Sequence, residues 1–312
     1  MRIGIDIMGG DFAPQKTVHG AILAQKELPK ETEIVLFGNK NDILSELTSH
    51  HISEDLFEIV DCTEVIDMGE HAVKAFKQKT NSSISVGFHY LSTGKIDGFA
   101  SAGNTGAMFV GGFYSVKAIS GIIRPCISSV LPKENGSVGI LLDVGANADC
   151  KADVLYQFGI LGSLFAQYVC GINDPKVGLL NLGEEKTKGN LLTQASYEMM
   201  EESKDYNFVG NIESRDIFEE HSDVIVCDGF TGNIVLKEAE AFYNLIKKRG
   251  YEDEYFNRFN YENYGGTPIL GINKTVIIGH GISNEIAIKN MITLTKDVVE
   301  ADLATKIKET LN

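Results

Sequence analysis

The stretch that most restricts the fold is Asp97-Gly-Phe-Ala-Ser-Ala-Gly-Asn-Thr-Gly-Ala107. Residues 96–100 read as the end of a buried strand, the glycines as a tight turn, and a helix begins near Thr105. Such a turn bares backbone N–H groups at a helix N-terminus, where partial positive charge favours an anion. A second stretch of the same design, Asp228-Gly-Phe-Thr-Gly-Asn233, follows the apolar strand 223–227. It precedes a helix containing Val235, Leu236 and Lys237. Either turn alone is ordinary turn chemistry. Two together, each with Gly, Asn and Thr, suggest one site that holds phosphate from two sides.

The rest of the chain supplies the frame for such turns. Residues 2–7 form a short strand with apolar side chains at 3, 5 and 7, followed by Met8-Gly-Gly-Asp-Phe-Ala-Pro14. A helix over 15–27 and a strand over 33–37 complete a β-α-β opening, which predicts parallel strands with helices on both faces. A strand at 56–60 and helices at 72–79 and 83–93 lead to the strand at 96–100. Strands at 126–131 and 138–143, joined through Asn135-Gly136, predict an antiparallel hairpin. Strands at 176–181, 207–211 and 223–227 follow, with a long helix and a short one between them. A strand at 275–278 and a helix from Ser283 to the C-terminus close the chain. Residues 1–312 read as a single α/β domain, with a lobe around 120–175 as its candidate second, dimer-forming part.

Two segments ask for a choice. Residues 154–173 carry no charge, yet they contain Gln157, Gln167, Ser163 and three glycines. A spanning helix is more uniformly apolar, so a helix buried in the domain or at a subunit interface is expected. Residues 243–264 interleave Tyr251, Tyr255, Phe256, Phe259, Tyr261 and Tyr264 with acids, after the basic Lys247-Lys-Arg249. They read either as a partner-facing surface or as an amphipathic helical cap.

Charge excludes some functions. A formal net charge of -15 argues against a nucleic-acid binder, which needs a basic surface. It also disfavours broad attraction to anionic lipid. Five cysteines lie scattered, with no zinc spacing and no Cys-x-x-Cys, so reduced buried thiols of a cytoplasmic protein are expected.

Polar groups gather where strands end: Asp6 and Asp11 around Gly9-Gly10, Asn104, Thr105 and Gly106, Asp143 and Asn147, and Lys188. Asp228, Thr231, Gly232 and Asn233 form another such group, and His280 sits between two glycines. In open α/β sheets ligands sit outside the carboxyl ends of the strands. There is no Gly-x-x-x-x-Gly-Lys-Ser/Thr loop, no Gly-x-Gly-x-x-Gly after the first strand, and no Gly-x-Ser-x-Gly elbow. What remains is a site of backbone donors, amides and one or two cations, suited to phosphate as a reactant. Each residue also has a plainer reading: Lys188 as a surface lysine, His280 as a turn cap, Asp6 and Asp11 as turn-formers.

Taken together, these stretches resemble the bacterial acyl-carrier-protein:phosphate acyltransferases of phospholipid synthesis, the PlsX family. The resemblance rests on Asp6-Ile-Met-Gly-Gly-Asp11 with Pro14, Ser101-Ala-Gly-Asn-Thr-Gly-Ala107, and Arg124-Pro125. It continues through Leu142-Asp-Val-Gly-Ala-Asn147 with Asp149-Cys150, Leu180-Asn-Leu-Gly-Glu-Glu185 with Lys188-Gly189, Cys227-Asp-Gly-Phe-Thr-Gly-Asn233 with Leu236-Lys237, and His280-Gly281. The resemblance implies a Rossmann-like, mostly parallel sheet with helices on both faces, akin to isocitrate and isopropylmalate dehydrogenases, and a homodimer. It implies acyl transfer from the carrier-protein thioester to inorganic phosphate, with no metal or organic cofactor. The acyl phosphate would pass to a glycerol-3-phosphate acyltransferase.

On that reading Lys188 positions phosphate or meets the departing thiolate. Asn233 polarises the carbonyl or orients phosphate, and His280 handles protons. Asp6, Gly9, Gly10, Asn104, Thr105, Gly106, Asn147, Asp228, Thr231 and Gly232 hold phosphate or substrate. Many family members carry a longer apolar insertion near residues 243–264 that is associated with peripheral binding at the inner face of the membrane. Here the region is short and contains Glu252-Asp-Glu254, so membrane contact is at most peripheral, and Lys247-Lys-Arg249 is an alternative contact for the acidic carrier protein. Three competing readings stay open: a phosphate acetyl- or butyryltransferase using acyl-coenzyme A, a metal-dependent dehydrogenase of the isopropylmalate kind, and a catalytically silent phosphate-binding protein.

Overall fold

A computed structural model describes residues 1–311. The chain begins with β1 (Arg2–Asp6), α1 (Gln15–Glu27), β2 (Glu33–Gly38), α2 (Lys40–Ser49), β3 (Glu58–Asp61), α3 (Ala72–Gln78), α4 (Ser83–Ser92), β4 (Gly98–Ser101) and α5 (Thr105–Gly111). It continues through β5 (Cys126–Pro132), β6 (Val138–Leu142), α6 (Ala152–Tyr168), β7 (Lys176–Asn181), α7 (Leu191–Glu201), β8 (Asn207–Glu213), β9 (Val224–Val226), α8 (Gly229–Lys248) and α9 (Glu254–Asn257). The last elements are β10 (Thr267–Leu270), β11 (Thr275–Ile278), α10 (Glu285–Glu300) and α11 (Leu303–Leu311).

These elements divide into two compact units, where the sequence suggests one continuous domain. Unit one takes residues 1–118 and 261–300; unit two takes 119–260 and the chain from 301 onward. Residues 120–175 fall wholly in unit two.

In unit one the strand order is β3-β2-β1-β4-β11-β10, parallel except for β10 against β11. Strands covered on both faces become continuous apolar runs, and β2 shows it: Ile34, Val35, Leu36 and Phe37 are all buried. Adjacent residues on β4 show what covers each face. A side chain at Gly98 would meet Thr295 of α10, whereas the Phe99 ring faces Gly87 of α4. Phe99 also packs edge-on to Phe37 and Phe88, at 5.7 and 5.3 Å between ring centres. Complete burial of such a ring contributes about 2–3 kcal/mol.

In unit two the order is β5-β6-β9-β7-β8, with β5 antiparallel to β6 and the other pairings parallel. The hairpin is the one the Asn-Gly pair predicts, and Gly136 takes a φ of +89° in its turn. The uncharged segment 154–173 supplies most of α6, which packs on β6 and β9 through Gly162 against Leu142 and Val224. It is a core helix, and among the described residues no helix is long and apolar enough to cross a membrane.

Two local expectations are corrected. Leu56 is exposed in a 3-10 turn capped by Ser53, so the third strand starts at Glu58. The expected C-terminal helix is two helices, because Asp302 takes a φ of +46°, which ends the regular ladder after Glu300. Residues 243–264 contain both a helical stretch and an aromatic cluster. The chain to Lys248 extends α8, and Phe218, Tyr255, Phe256 and Phe259 then build an aromatic cluster with ring centres 5.2 to 6.5 Å apart.

All five cysteines are free. Burial, reinforced by nearby carboxylates, pushes the Cys62 and Cys150 thiols up to about 12. Burial alone raises Cys170 to about 11, and Cys126 and Cys227 go well above their ordinary value. A free thiol sits near pH 8.5. The native protein should therefore react with an aromatic disulfide reagent at pH 8 more than about 100-fold slower than the urea-unfolded chain. The folded state holds these protons to higher pH than the unfolded chain does. Their stabilising effect is complete below about pH 8.5 and is lost as pH climbs toward the folded values. Native thiols reacting at the unfolded rate would contradict this burial.

Candidate active site

In unit one the ends of β1 and β4 and the turn after β11 are bonded to one another. Asp6, fully buried, accepts the Ser101 hydroxyl at 2.6 Å and the Met8 N–H at 2.9 Å. Burial raises its carboxyl above the usual range, against the lowering effect of those hydrogen bonds. The Ser101 oxygen in turn accepts the Gly103 N–H at 2.9 Å. Gly9 is required by space, since a Cβ there would stand 2.5 Å from the Asp6 carboxylate and 2.6 Å from the Gly103 nitrogen. Gly10 is required by conformation, with φ at +106°. The turn closes on the third glycine pair: Asp11 N–H donates to the Gly281 carbonyl at 2.7 Å, and Gly279 N–H donates to Ser101 at 2.8 Å. His280 is half-buried there, its ring 5.0 Å from that of Tyr261.

Asn104 starts α5 by accepting the Ala107 N–H at 2.9 Å. Its amide donates to the carbonyls of Asp67, Met68 and Glu70 at 3.0 to 3.2 Å. The side chain is thus buried and engaged at both ends. The Thr105 side chain is exposed, with Gly106 partly so. Asp6 and Asn104 are therefore the frame of the turn.

In unit two the second turn is not a loop before a helix, as the sequence suggests; it is the first turn of α8 itself. Asp228 caps that helix, accepting the Thr231 N–H at 2.8 Å and the Thr231 hydroxyl at 2.9 Å. A Cβ at Gly232 would collide with the Asp143 carbonyl oxygen, so only glycine lets α8 approach the end of β6. Asn147 is buried and donates to the Pro125 carbonyl at 2.8 Å and the Asp143 carboxylate at 2.9 Å. Its own carbonyl accepts the Gly229 N–H at 2.8 Å.

Lys188 and Asn233 differ from these. Both are exposed, and among the described residues neither side chain makes a hydrogen bond or an ion pair. Two positions earlier, Lys186 is tied to Glu201. Asn233 lies opposite Gly145, where a Cβ would come 3.6 Å from its Oδ1. Near these residues a cavity of about 360 Å³ is lined by Gly189, Asn190, Asp228 and Thr231, with Asn181 and Thr193 beside them. The sequence pattern alone does not single out Ser101, Asn181, Asn190 or Thr193 as candidates. Ser101 and Asn181 each end a strand, the one signal that could have found them.

Comparison with known proteins agrees with this frame. A family model described as "Fatty acid synthesis protein" matches residues 1–306. The phosphate acyltransferase of Desulforamulus reducens is 43% identical over 100% of this chain and 97% of its own. The phosphate acyltransferase of Halothermothrix orenii is 39% identical, covering 100% and 99%. Among solved structures, a phosphotransacetylase from Streptococcus pyogenes superposes with a TM-score of 0.67 at 19% identity, over 96% of this chain and 94% of its own. The 4-hydroxythreonine-4-phosphate dehydrogenase of Klebsiella pneumoniae shares the fold at 0.57 and 12%, over 96% and 98%. The full-length matches leave one conclusion: the chain belongs to the fatty acid synthesis protein family, that of the PlsX phosphate acyltransferases, and is an acyltransferase.

Proposed function

We propose that the chain transfers an acyl group from the thioester of acyl-carrier protein to inorganic phosphate, releasing acyl phosphate and the free carrier thiol for phospholipid synthesis. A phosphate oxygen attacks the thioester carbonyl carbon, the C–S bond breaks, and the thiolate leaves and takes a proton. Phosphate is already a nucleophile, so no acyl-enzyme is required. The protein's task is to hold the anion and stabilise the oxyanion.

The observation that carries this reading is the pair Lys188 and Asn233, the two candidate side chains of unit two that the fold leaves unengaged and exposed. Lys188 supplies charge for phosphate or the leaving thiolate, and the Asn233 amide supplies a donor for the carbonyl. The proton-handling role of His280 rests on the family resemblance alone. So do the homodimer and the downstream glycerol-3-phosphate acyltransferase; a contact through the 120–175 lobe rests on the uncharged segment there, a cytoplasmic location on the scattered free cysteines, and at most peripheral membrane contact on the short, acidic 243–264 region. For the carrier protein, Lys248 and Arg249 are the exposed cations of the basic cluster, since Lys247 is paired with Glu252 at 2.6 Å.

The test mixes purified protein with long-chain acyl-carrier protein and phosphate, and traps product with hydroxylamine. Hydroxamate should appear only with both enzyme and phosphate, and a sizing column run on the same preparation should show a dimer. Product from short acyl-coenzyme A but none from the carrier protein would replace the proposed donor. No product from either would end the reading.

A further inference from the structure

Unit two holds two cavities that share one wall, and that wall is a single face of α8. The first, about 360 Å³, is lined by Thr231 and Val235; the second, about 410 Å³, by Ala239, Phe242, Tyr243 and Ile246. With 3.6 residues per turn, these six positions fall within about 120° of the helix circumference, so they form one stripe. The segment after β8 runs the same way: Ser214 lines the first cavity and Phe218 the second. The two cavities therefore follow one another along α8 away from the Asp228 cap, with no lining residue in common.

Polarity changes from the first cavity to the second. At the Asp228 end, Asn181, Asn190 and Thr193 stand among leucines. At the far end the lining is aromatic and aliphatic, with Glu134 its single charged group among the described residues. The far wall is held in place, because Arg258 just past α9 donates to the carbonyls of Lys133 and Ser137 at 2.9 and 2.5 Å. From Thr231 to Phe242 the helix rises about 16 Å at 1.5 Å per residue. A bilayer's hydrocarbon core of about 30 Å is two chains deep, so one long chain reaches about 15 Å.

Resting on the acyl-transfer reading, we infer that the two cavities join into one groove, which holds the hydrocarbon tail of a long-chain acyl group. The carbonyl end lies toward Asp228 and Thr231, and the methyl end lies among Phe242, Phe256 and Phe259. Ala239 stands about 12 Å from Thr231, at the start of the apolar stretch; a larger side chain there shortens the groove, so this stretch of α8 sets chain-length preference.

The test uses the full-length protein and a fluorescent long-chain polyene fatty acid, whose emission rises in an apolar site. Wild type should bind it saturably. Ala239→Phe, which blocks entry to the apolar stretch, and Phe242→Lys, which puts a charge within it, should each weaken binding by more than about tenfold. Phe242 is 57% exposed, so its replacement leaves the fold intact. Acyl-phosphate formation is followed in parallel with short- and long-chain thioesters. Loss confined to the long chain supports the groove. No probe binding by wild type, unchanged binding in both variants, or equal loss with both chain lengths overturns it. Probe binding blocked by both variants, with no acyl phosphate from any donor, supports the groove while removing the reaction.

Discussion

Asp143→Ala should destabilise unit two by about 4 kcal/mol or more, the largest stability loss expected of any single replacement at the site. Asp143 is fully buried at the end of β6. One carboxylate oxygen accepts the N–H groups of Ile127 at 3.0 Å and Ala146 at 3.2 Å. The other accepts the Asn147 N–H at 2.6 Å and its side-chain amide at 2.9 Å. Alanine leaves four donors facing a void, and each buried donor left unmade costs about 1–3 kcal/mol, less what an entering water recovers. The damage spreads by connectivity, since Asn147 also accepts the Gly229 N–H that begins α8. Asp143→Asn keeps one acceptor oxygen but sets an amide N–H₂ against two donors, so about half the loss is expected. The chain has no tryptophan, so urea unfolding is followed by circular dichroism. A loss below about 1 kcal/mol for Asp143→Ala would mean that the carboxylate is not what holds this turn.

Asp143 also shows where sequence reading stops. Its place at a strand end is legible, as are the glycines around it, because apolar runs and glycine spacing are written directly in the chain. The bounds of β7 match the expected 176–181 for a related reason: an apolar run this short, bounded by Pro175 and Gly183, has room for a strand and none for a helix. What the spacing hides is the direction of side chains. Asn104, Asn147, Asp228 and Thr231 look like ligand residues beside glycine, yet each spends its polar atoms on this chain's own backbone or on one another. Lys188 looks like any surface lysine, and Lys186 two positions earlier looks the same; the Glu201 partner that separates them lies fifteen residues from Lys186. The helix break at Asp302 is hidden too, because apolar recurrence runs on through Val298 and into Leu303 and Ile307. The two-unit division leaves no linker composition, since each unit draws on two separate stretches of chain.

The distinction between the two lysines leads to the largest expected loss of activity. Lys188→Ala should lower kcat/KM for acyl phosphate formation by about 100-fold, the scale seen when one preorganised group facing developing charge is removed. Thermal stability should stay within about 2 °C of wild type, because the side chain is exposed and holds nothing in place. Lys186→Ala is the matched control: it loses an exposed ion pair to Glu201 and should keep its turnover. The kinetic pattern separates the two roles open to Lys188. If the ammonium holds phosphate, the KM for phosphate rises steeply and Lys188→Arg recovers part of the loss, since a guanidinium also binds phosphate. If it meets the departing thiolate, kcat falls while the KM for phosphate holds, and the loss shrinks with donors whose thiols are more acidic. A loss under about tenfold, or an equal loss in Lys186→Ala, would return Lys188 to the ordinary surface and leave Asn233 as the one unengaged candidate of unit two.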